Sequence, residues 1–467
     1  MLYPVHSPQH NLPKPQAEFV FRYAGKLLLE QEFAPDLASY KHCFSKIPTI
    51  SRKFGYLQCV RCGNQKPSLF GKIPCEKCHT THFYCRNCIQ MGRVMQCESL
   101  YVWSGEVPVW QSHESPLSWD GTLTDAQLHA SNRIVQAIQQ QEKELAVWAV
   151  CGSGKTEMLF RGIEAALKLG KRVCIATPRA DVVRELQPRF KEAFQTVPVQ
   201  ALYGGSDEKE GSAQLIIATT HQLLRFHKTF DVVIIDEVDA FPFHNDATLP
   251  YAVNRAKKDR HTMIYVTATP RQDLRLKMTL RKLPYVFVPV RYHGHPLPVP
   301  RLHMSISLKK AIKERQLPNS VLTWIKKRKN PNRQLLIFVP TIALAEELAE
   351  KLREGSTLPF QSIVSAHSED EQRVEKIIQF RNREIQLLIT TTILERGVTF
   401  PSVDVIVLDA GHMVFDDAAL VQIAGRAGRS MDDPTGEVLF VHNGKTNAMV
   451  KSIRSIQSMN KRGGFSK

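Results

Sequence analysis

Residues 146–156 read Ala-Val-Trp-Ala-Val-Cys-Gly-Ser-Gly-Lys-Thr. An apolar run, Ala146–Val150, ends in a turn with two glycines, and helical spacing begins at Lys155, the pattern of a buried strand, a tight loop and a helix. In such a loop the backbone N–H groups point at phosphate oxygens and the helix N-terminus adds partial positive charge. Lys155 is then placed to reach the β- and γ-phosphates, and the Thr156 hydroxyl to bind Mg²⁺. Gly152, Ser153, Gly154, Lys155 and Thr156 are the candidate ATP-binding residues, although Ala149 stands where the strict pattern has Gly.

The same punctuation recurs on both sides of this stretch. Arg172–Thr177, Leu215–Ala218, Val232–Ile235 and Met263–Val266 are brief, rich in β-branched residues and bounded by polar turns, with helical spacing at Lys155–Leu169 and Ala180–Phe194. Such alternation predicts a parallel sheet covered on both faces, an α/β doubly wound domain. A second series follows, with strands at Leu335–Val339, Gln361–Val364, Leu387–Thr391, Val403–Leu408 and Val438–Val441, and helices at Ala343–Arg353 and Glu371–Phe380. The expected organisation is an N-terminal segment (1–105) with a cysteine-rich module at 59–97, one α/β domain over 106–290 and another over 291–467. Arg291–Arg301, with three prolines, is the expected hinge. A helix is expected from about Pro15 to Leu29, and a docked helix at the tail from the stripe Met449, Ile453, Ile456 and Met459.

Two further constellations belong with the loop. The strand Val232–Ile235 ends in Asp236-Glu-Val-Asp239, which places Asp236 to hold Mg²⁺ and Glu237 to orient the attacking water. Gln422-Ile-Ala-Gly-Arg-Ala-Gly-Arg429 puts Arg426 and Arg429 on one helical face, able to reach across a cleft as arginine fingers. Lys155, Asp236, Glu237, Arg426 and Arg429 are therefore the candidate catalytic residues.

The order Gln127, Gly152–Thr156, Thr177-Pro-Arg179, Asp236–Asp239, Thr267-Ala-Thr269, Thr391–Gly397 and Gln422–Arg429 resembles the motif set of superfamily 2 helicases and translocases, and so implies two RecA-like domains. The resemblance implies that Gln127 contacts adenine and that Thr267 and Thr269 couple hydrolysis to domain motion. It also implies that Thr177, Arg179, Thr391, Thr392 and Arg396 grip a nucleic-acid backbone. Ile423 and Thr399 depart from the common pattern. The longer strings Asp236-Glu-Val-Asp-Ala-Phe-Pro-Phe243 and Thr391-Thr-Ile-Leu-Glu-Arg-Gly-Val-Thr-Phe-Pro401, with the upstream cysteine module, resemble the ComFA late competence family. That family implies an ATP-dependent motor on single-stranded DNA in DNA uptake, with ComFC and the uptake channel as partners. A PriA-like replication-restart or RNA helicase, and an ATP-gated DNA clamp or adaptor, are the alternatives.

Seven of the 10 cysteines fall between Cys59 and Cys97. Cys59/Cys62, Cys75/Cys78 and Cys85/Cys88 each have the spacing that sets two thiolates on one Zn²⁺. Cys59, Cys62, Cys85 and Cys88 match the family's four-cysteine site. Cys75 and Cys78 either replace one pair or form a second site with two of His79, His82 and Cys97. The cysteine usage points to a reducing compartment, and no signal peptide or apolar run of membrane length is visible. The expected location is cytoplasmic, with any membrane contact peripheral and homo-oligomers allowed.

The chain has 467 residues, too many for one ordinary core, and a net charge of +17. Residues 1–105 hold 13 basic and 6 acidic residues, 106–290 hold 23 and 21, and 291–467 hold 26 and 18. The positive field therefore sits at the two ends and favours a polyanionic partner. Between Ser51 and Cys97 there are eight basic residues and one acidic, with Phe83 and Tyr84 as candidate stacking rings. The two α/β lobes are expected to hold their own cores, separable from this module.

Overall fold

The computed structural model describes residues 15–465 apart from 34, 54, 209, 356 and 357. Two parallel sheets form the body. The first has seven strands in the order Val199–Leu202, Leu215–Thr219, Val173–Thr177, Phe230–Asp236, Lys257–Thr267, Glu144–Ala149 and Tyr285–Val288. The second has six, ordered Arg301–Met304, Val438–His442, Val403–Leu408, Gln334–Phe338, Leu387–Thr390 and Ile363–Ala366. All their pairings are parallel, and helices such as Lys155–Lys168 and Ile342–Gly355 cover them. The central strands are buried along their whole length because both faces are covered, which is why they read as continuous apolar runs. Val199–Leu202, Tyr285–Val288 and Arg301–Met304 escaped the sequence reading. They are short, they lie at or beside sheet edges, and proline or glycine lies close to each.

The N-terminal segment differs from expectation in two ways. The helix stops at Tyr23, and Leu27–Leu29 is instead a strand pairing with Ser99–Trp103 in a small antiparallel sheet. Gly25 and Lys26 make the break: Gly25 adopts φ +80°, and the Thr229 hydroxyl donates to its carbonyl at 2.5 Å. The cysteine module is also not separable. Its buried residues, Cys59, Cys62, Cys85, Cys88, Phe70 and Val94, share one continuous core with Phe226, Phe230, Leu249 and Val253 of the first lobe.

Polar contacts reinforce that junction. Arg255, on the Thr248–Ala256 helix, donates to the carbonyls of Val60 and Arg61 in the first cysteine turn and to Leu224 and Phe226 in the lobe. Tyr251 Oη donates to Val60 O at 3.0 Å, and Asn87 Nδ2 to Thr248 Oγ1 at 2.9 Å. Trp110 lies over the buried Arg172 guanidinium at 4.5 Å, and Trp119 packs edge-on against Phe160, so the chain between module and lobe runs along the lobe's surface. No helix among the described residues is long and apolar enough to cross a membrane.

Candidate nucleotide site and metal centre

A cleft of about 1300 Å³ opens between the two lobes. Its wall from the first lobe carries Gln127, Gly152, Ser153, Gly154, Lys155, Thr156, Asp236 and Glu237, and its opposite wall carries Gln422, Arg426 and Arg429. Residues about 300 positions apart in the chain thus face one cavity.

Local geometry explains the first wall. Gly152 and Gly154 adopt φ +78° and +70°, a region open to glycine at little cost, and Gly154 caps the Lys155–Lys168 helix. Gln127 ends a capping box with Thr124 and donates from Nε2 to Ser153 O at 2.9 Å, so it holds the loop from behind. Asp236 is the last residue of its strand and accepts from Glu237 N at 3.0 Å. Burial and the neighbouring Glu237 carboxylate push Asp236 up to about 6, against the pull of Lys155. Glu237 sits at φ +57°, a strained conformation for a glutamate, and its Oε2 is buried without a partner.

The second wall is cationic, with Glu185 and Glu237 near Arg426 but not paired with it. Arg426 is 1% exposed, with Nε donating to Glu395 O at 3.0 Å and Nη1 unpartnered. Burial and the adjacent Arg429 hold its pKa well below the arginine range. No carboxylate pairs with Arg426 or Arg429 among the described residues. The unpartnered Ser153 Oγ, Glu237 Oε2 and Arg426 Nη1 around a glycine-lined helix N-terminus fit a Mg²⁺-bound nucleoside triphosphate.

Behind the cleft a buried network ties the lobes. Asp239 accepts from Thr267 Oγ1 and Thr269 Oγ1, both at 2.5 Å, and from Arg396 Nη2 at 2.6 Å. Gln422 Nε2 donates to Thr269 Oγ1 at 3.3 Å, while Gln422 Oε1 accepts from Cys151 Sγ at 3.0 Å. Thr267-Ala-Thr269 and the Gln422–Arg429 segment are thus joined to the loop itself. Gly425 has to be glycine, because a Cβ there would lie 2.5 Å from Cys151 Cβ.

In the expected nucleic-acid group, Arg179 reaches across the lobes to the turn of Thr391 and Thr392, while Thr177 and Arg396 are buried. Arg396 is 3% exposed and paired with Asp239, so its guanidinium faces the inter-lobe network. Thr177 is fully buried with its hydroxyl unpartnered, and Arg179 donates to Ile393 O of the other lobe. Thr391 and Thr392 are half-buried at the start of a short helical turn. Of the two stacking candidates, Phe83 is half-buried under Lys72, whose Nζ lies 5.2 Å from the ring centroid, and Tyr84 packs on Gly71.

Sequence reasoning missed Arg291 and Tyr292 altogether. The expected hinge begins with a clamp: the buried Arg291 guanidinium donates to the carbonyls of Gly425, Ala427 and Gly428. Arg426 and Arg429 do not share a helical face as expected: the helix Asp417–Ala424 stops before them, and Gly428 at φ +63° carries the chain on as a turn. Tyr292 N donates to Gly152 O at 3.0 Å and Tyr292 Oη to Arg429 O at 3.2 Å, so Arg291 and Tyr292 bridge the phosphate loop and this arginine turn. Burial and Arg429 draw Arg291 down to about 10. The only available signal was an arginine next to an aromatic before a proline-rich linker, which carries no pattern of its own.

In the cysteine module, Cys59, Cys62, Cys85 and Cys88 converge, all buried, with every sulfur within 4.8 Å of the others. Cys59 Sγ lies 3.8 Å from Cys88 Sγ, and Cys62 Sγ 3.6 Å from Cys85 Sγ. A tetrahedron with Zn–S bonds of ~2.3 Å has edges of ~3.8 Å, so this set fits a closed structural zinc site. Asn64 and Asn87 amides donate to Cys85 and Cys62 Sγ at 3.8 and 3.6 Å. Four buried thiolates within 4.8 Å of one another repel, and a bound cation offsets that repulsion. His79 and His82 belong to neither of the two cysteine groups.

Two tandem RecA-like sheets with the nucleotide cleft between them define a superfamily 2 ATP-dependent helicase-type motor. The competence protein ComFA N-terminal domain matches residues 16–102, the Type III restriction enzyme, res subunit, matches 120–272, and the helicase conserved C-terminal domain matches 313–431. The chain is 45% identical to competence protein ComFA of Bacillus subtilis over 404 residues, covering 86% of this chain and 85% of that protein. It is 38% identical to competence protein ComFA of Streptococcus pneumoniae, covering 95% and 99%. The chain belongs to the ComFA family of competence proteins. Among solved structures, Dbp5 of S. cerevisiae bound to RNA and ADP BeF3 superposes with a TM-score of 0.53 at 18% identity, covering 74% of this chain and 93% of that chain, a likeness of fold.

Proposed function

We propose that this protein is a DNA-stimulated ATPase that moves along single-stranded DNA and drives its uptake during competence. The observation that carries the reading is the composite cleft: carboxylates and a lysine on one lobe face two arginines on the other that make no direct ion pair. Bound Mg-ATP would supply the phosphoanhydride whose cleavage powers the cycle. Lys155 and the loop N–H groups hold the phosphates, Thr156 and Asp236 hold the metal, and Glu237 orients and polarises the attacking water. Arg426 and Arg429 neutralise charge that develops on the departing phosphate, so hydrolysis requires both lobes together. Asp239, Thr267 and Thr269 then report the state of the site to Arg396 and Gln422, which sit on the second lobe. Alternate engagement and release of the lobes is the mechanical element.

Thr177, Arg179, Thr391 and Thr392 are proposed to meet the DNA backbone when the lobes shift, and the basic stretch from Ser51 to Cys97 to widen that surface. ComFC and the uptake channel are the proposed partners, at the cytoplasmic face of the membrane; Zn²⁺ on Cys59, Cys62, Cys85 and Cys88 is the structural cofactor. The test is the ATPase rate with single-stranded DNA of graded length, duplex DNA and RNA, with Lys155→Ala as the inactive control. A motor on single strands shows a rate that rises with strand length before levelling. A length-independent rate identifies a clamp, strand separation a helicase in the strict sense, and stimulation by RNA alone an RNA enzyme.

A further inference from the structure

The hairpin of Phe70–Cys75 and Thr80–Cys85 carries thiols at both ends. Its base contributes Cys85 to the buried four-cysteine set, whereas its tip holds Cys75 and Cys78, with Cys97 beside them. The three tip sulfurs lie within 4.8 Å of one another, Cys75 Sγ at 3.8 Å from Cys78 Sγ and at 3.7 Å from Cys97 Sγ. Both measured separations are the edge of a tetrahedron around zinc.

The backbone repeats the geometry of the first site. In the turn Cys59–Cys62, Gly63 N donates to Cys59 O at 2.8 Å with Gly63 at φ +74°. In the turn Cys75–Cys78, His79 N donates to Cys75 O at 2.9 Å with His79 at φ +53°. The second turn therefore adopts the thiolate-presenting shape although its last residue is not glycine, a conformation that costs about 1–2 kcal/mol. Cys97 arrives by a separate route: Gln96 N donates to Phe83 O at 2.8 Å and its Oε1 accepts from Phe83 N at 3.3 Å, which pins the strand end against the hairpin. Neither a solvated turn nor a packing role accounts for this convergence, since Cys78 is exposed and Cys75 and Cys97 are only half-covered.

We infer a second metal site, three thiolates from Cys75, Cys78 and Cys97 on one Zn²⁺, with the fourth position open to solvent. The four-cysteine set is closed and inert. The tip site differs in kind, because an exposed tris-thiolate centre can accept a nitrogen or sulfur donor from outside the chain and exchange it. It lies at the end of the hairpin opposite Cys85, whose four-cysteine set shares the core of the first lobe.

The full-length protein, held in reductant and equilibrated with Zn²⁺ before removal of free metal, is expected to carry two zinc ions per chain by mass spectrometry. Cys75→Ser/Cys78→Ser and Cys97→Ser should each carry one, and the zinc they retain shows that the module is still folded. One zinc in the wild type, unchanged in these variants, would overturn the site. So would an intact mass about 2 Da below the dithiol value, which means a disulfide joins two of the three thiols. With Co²⁺ in place of Zn²⁺, added imidazole should shift the visible bands of the wild type and leave those of Cys97→Ser unchanged. Two bound cobalt ions with bands indifferent to imidazole would show a fourth ligand inside the chain and refute the open position.

Discussion

Asp236 and Arg291 carry the most specific consequences at the scale of single residues. Asp236 titrates near 6 in the folded protein against 3.8 ordinarily, because burial and Glu237 outweigh Lys155. Between pH 4 and 6 the folded chain without nucleotide therefore binds a proton that the unfolded chain has lost, so its stability falls as pH rises through that window and is level above it. Metal binding needs the carboxylate, and the affinity for Mg-ATP should drop by up to about tenfold per unit below pH 6. Titrating nucleotide affinity at pH 5, 6 and 7.5 checks this, and Asp236→Asn should be weak and flat across the range. Arg291 holds three carbonyls of the turn that carries Arg426 and Arg429. Arg291→Ala should lower turnover roughly tenfold or more while changing ATP Kd only a few-fold, since the fingers lose their position and the phosphate loop does not. Arg291→Lys should rescue little, as one ammonium cannot serve three divergent acceptors. Equal losses in Kd and turnover would show that Arg291 acts on ground-state binding.

Among the elements, the Thr248–Ala256 helix is the junction between metal module and motor. It begins a few residues after the Asp236–Asp239 motif, and its Arg255 and Tyr251 bond the first cysteine turn. Truncating Arg255 removes its hydrogen bonds to four carbonyls, two on each side of the junction, of which Val60 O keeps Tyr251 as a donor, at a cost of about 3 kcal/mol. Arg255→Ala is expected to lower Tm by roughly 5–10 °C and to speed loss of zinc to a chelator. Because the core is continuous across this junction, stripping zinc from the wild type should also depress basal ATPase. Chelation that leaves both Tm and ATPase unchanged would mean that the module and lobe are energetically independent, as the sequence by itself suggests.

For the whole molecule, the lobes meet through layers of different strength. The half-exposed pairs Asp181–Arg373 and Glu185–Arg381 contribute at most about 1 kcal/mol each and are screened by salt. The buried Asp239–Arg396 pair is another matter, as removing one partner leaves an uncompensated charge and costs about 3–5 kcal/mol. The tail helix Asn447–Arg462 adds a third layer by crossing to the first lobe, where Arg462 lies 3.5 Å from the Phe287 ring centroid. Asp239→Asn should therefore raise the radius of gyration measured by small-angle scattering and cut turnover at least tenfold. Raised salt alone should move the radius little, because the buried pair and the apolar contacts persist. A variant with unchanged radius and turnover would remove Asp239 from the coupling path.

The two parallel sheets, the glycine loop and the carboxylate strand end are legible in the sequence, because each is a local pattern with its own periodicity or spacing, whereas the arginines expected on a helix lie in the turn after Ala424. The sequence also narrows the metal ligands to seven cysteines and two histidines, His79 and His82, without saying how many ions they hold or that the histidines stand apart. Only the tertiary structure decided how these parts are shared: that Arg396 turns inward to Asp239, that Arg291 and Tyr292 clamp loop to fingers, and that Cys97 joins Cys75 and Cys78 while Cys85 leaves for the other set. The physical reason is range. Helix caps, strand burial and knuckle turns are set by neighbours within a few residues, whereas these pairings join positions tens to hundreds apart, and the packing of whole lobes brings them within bonding distance.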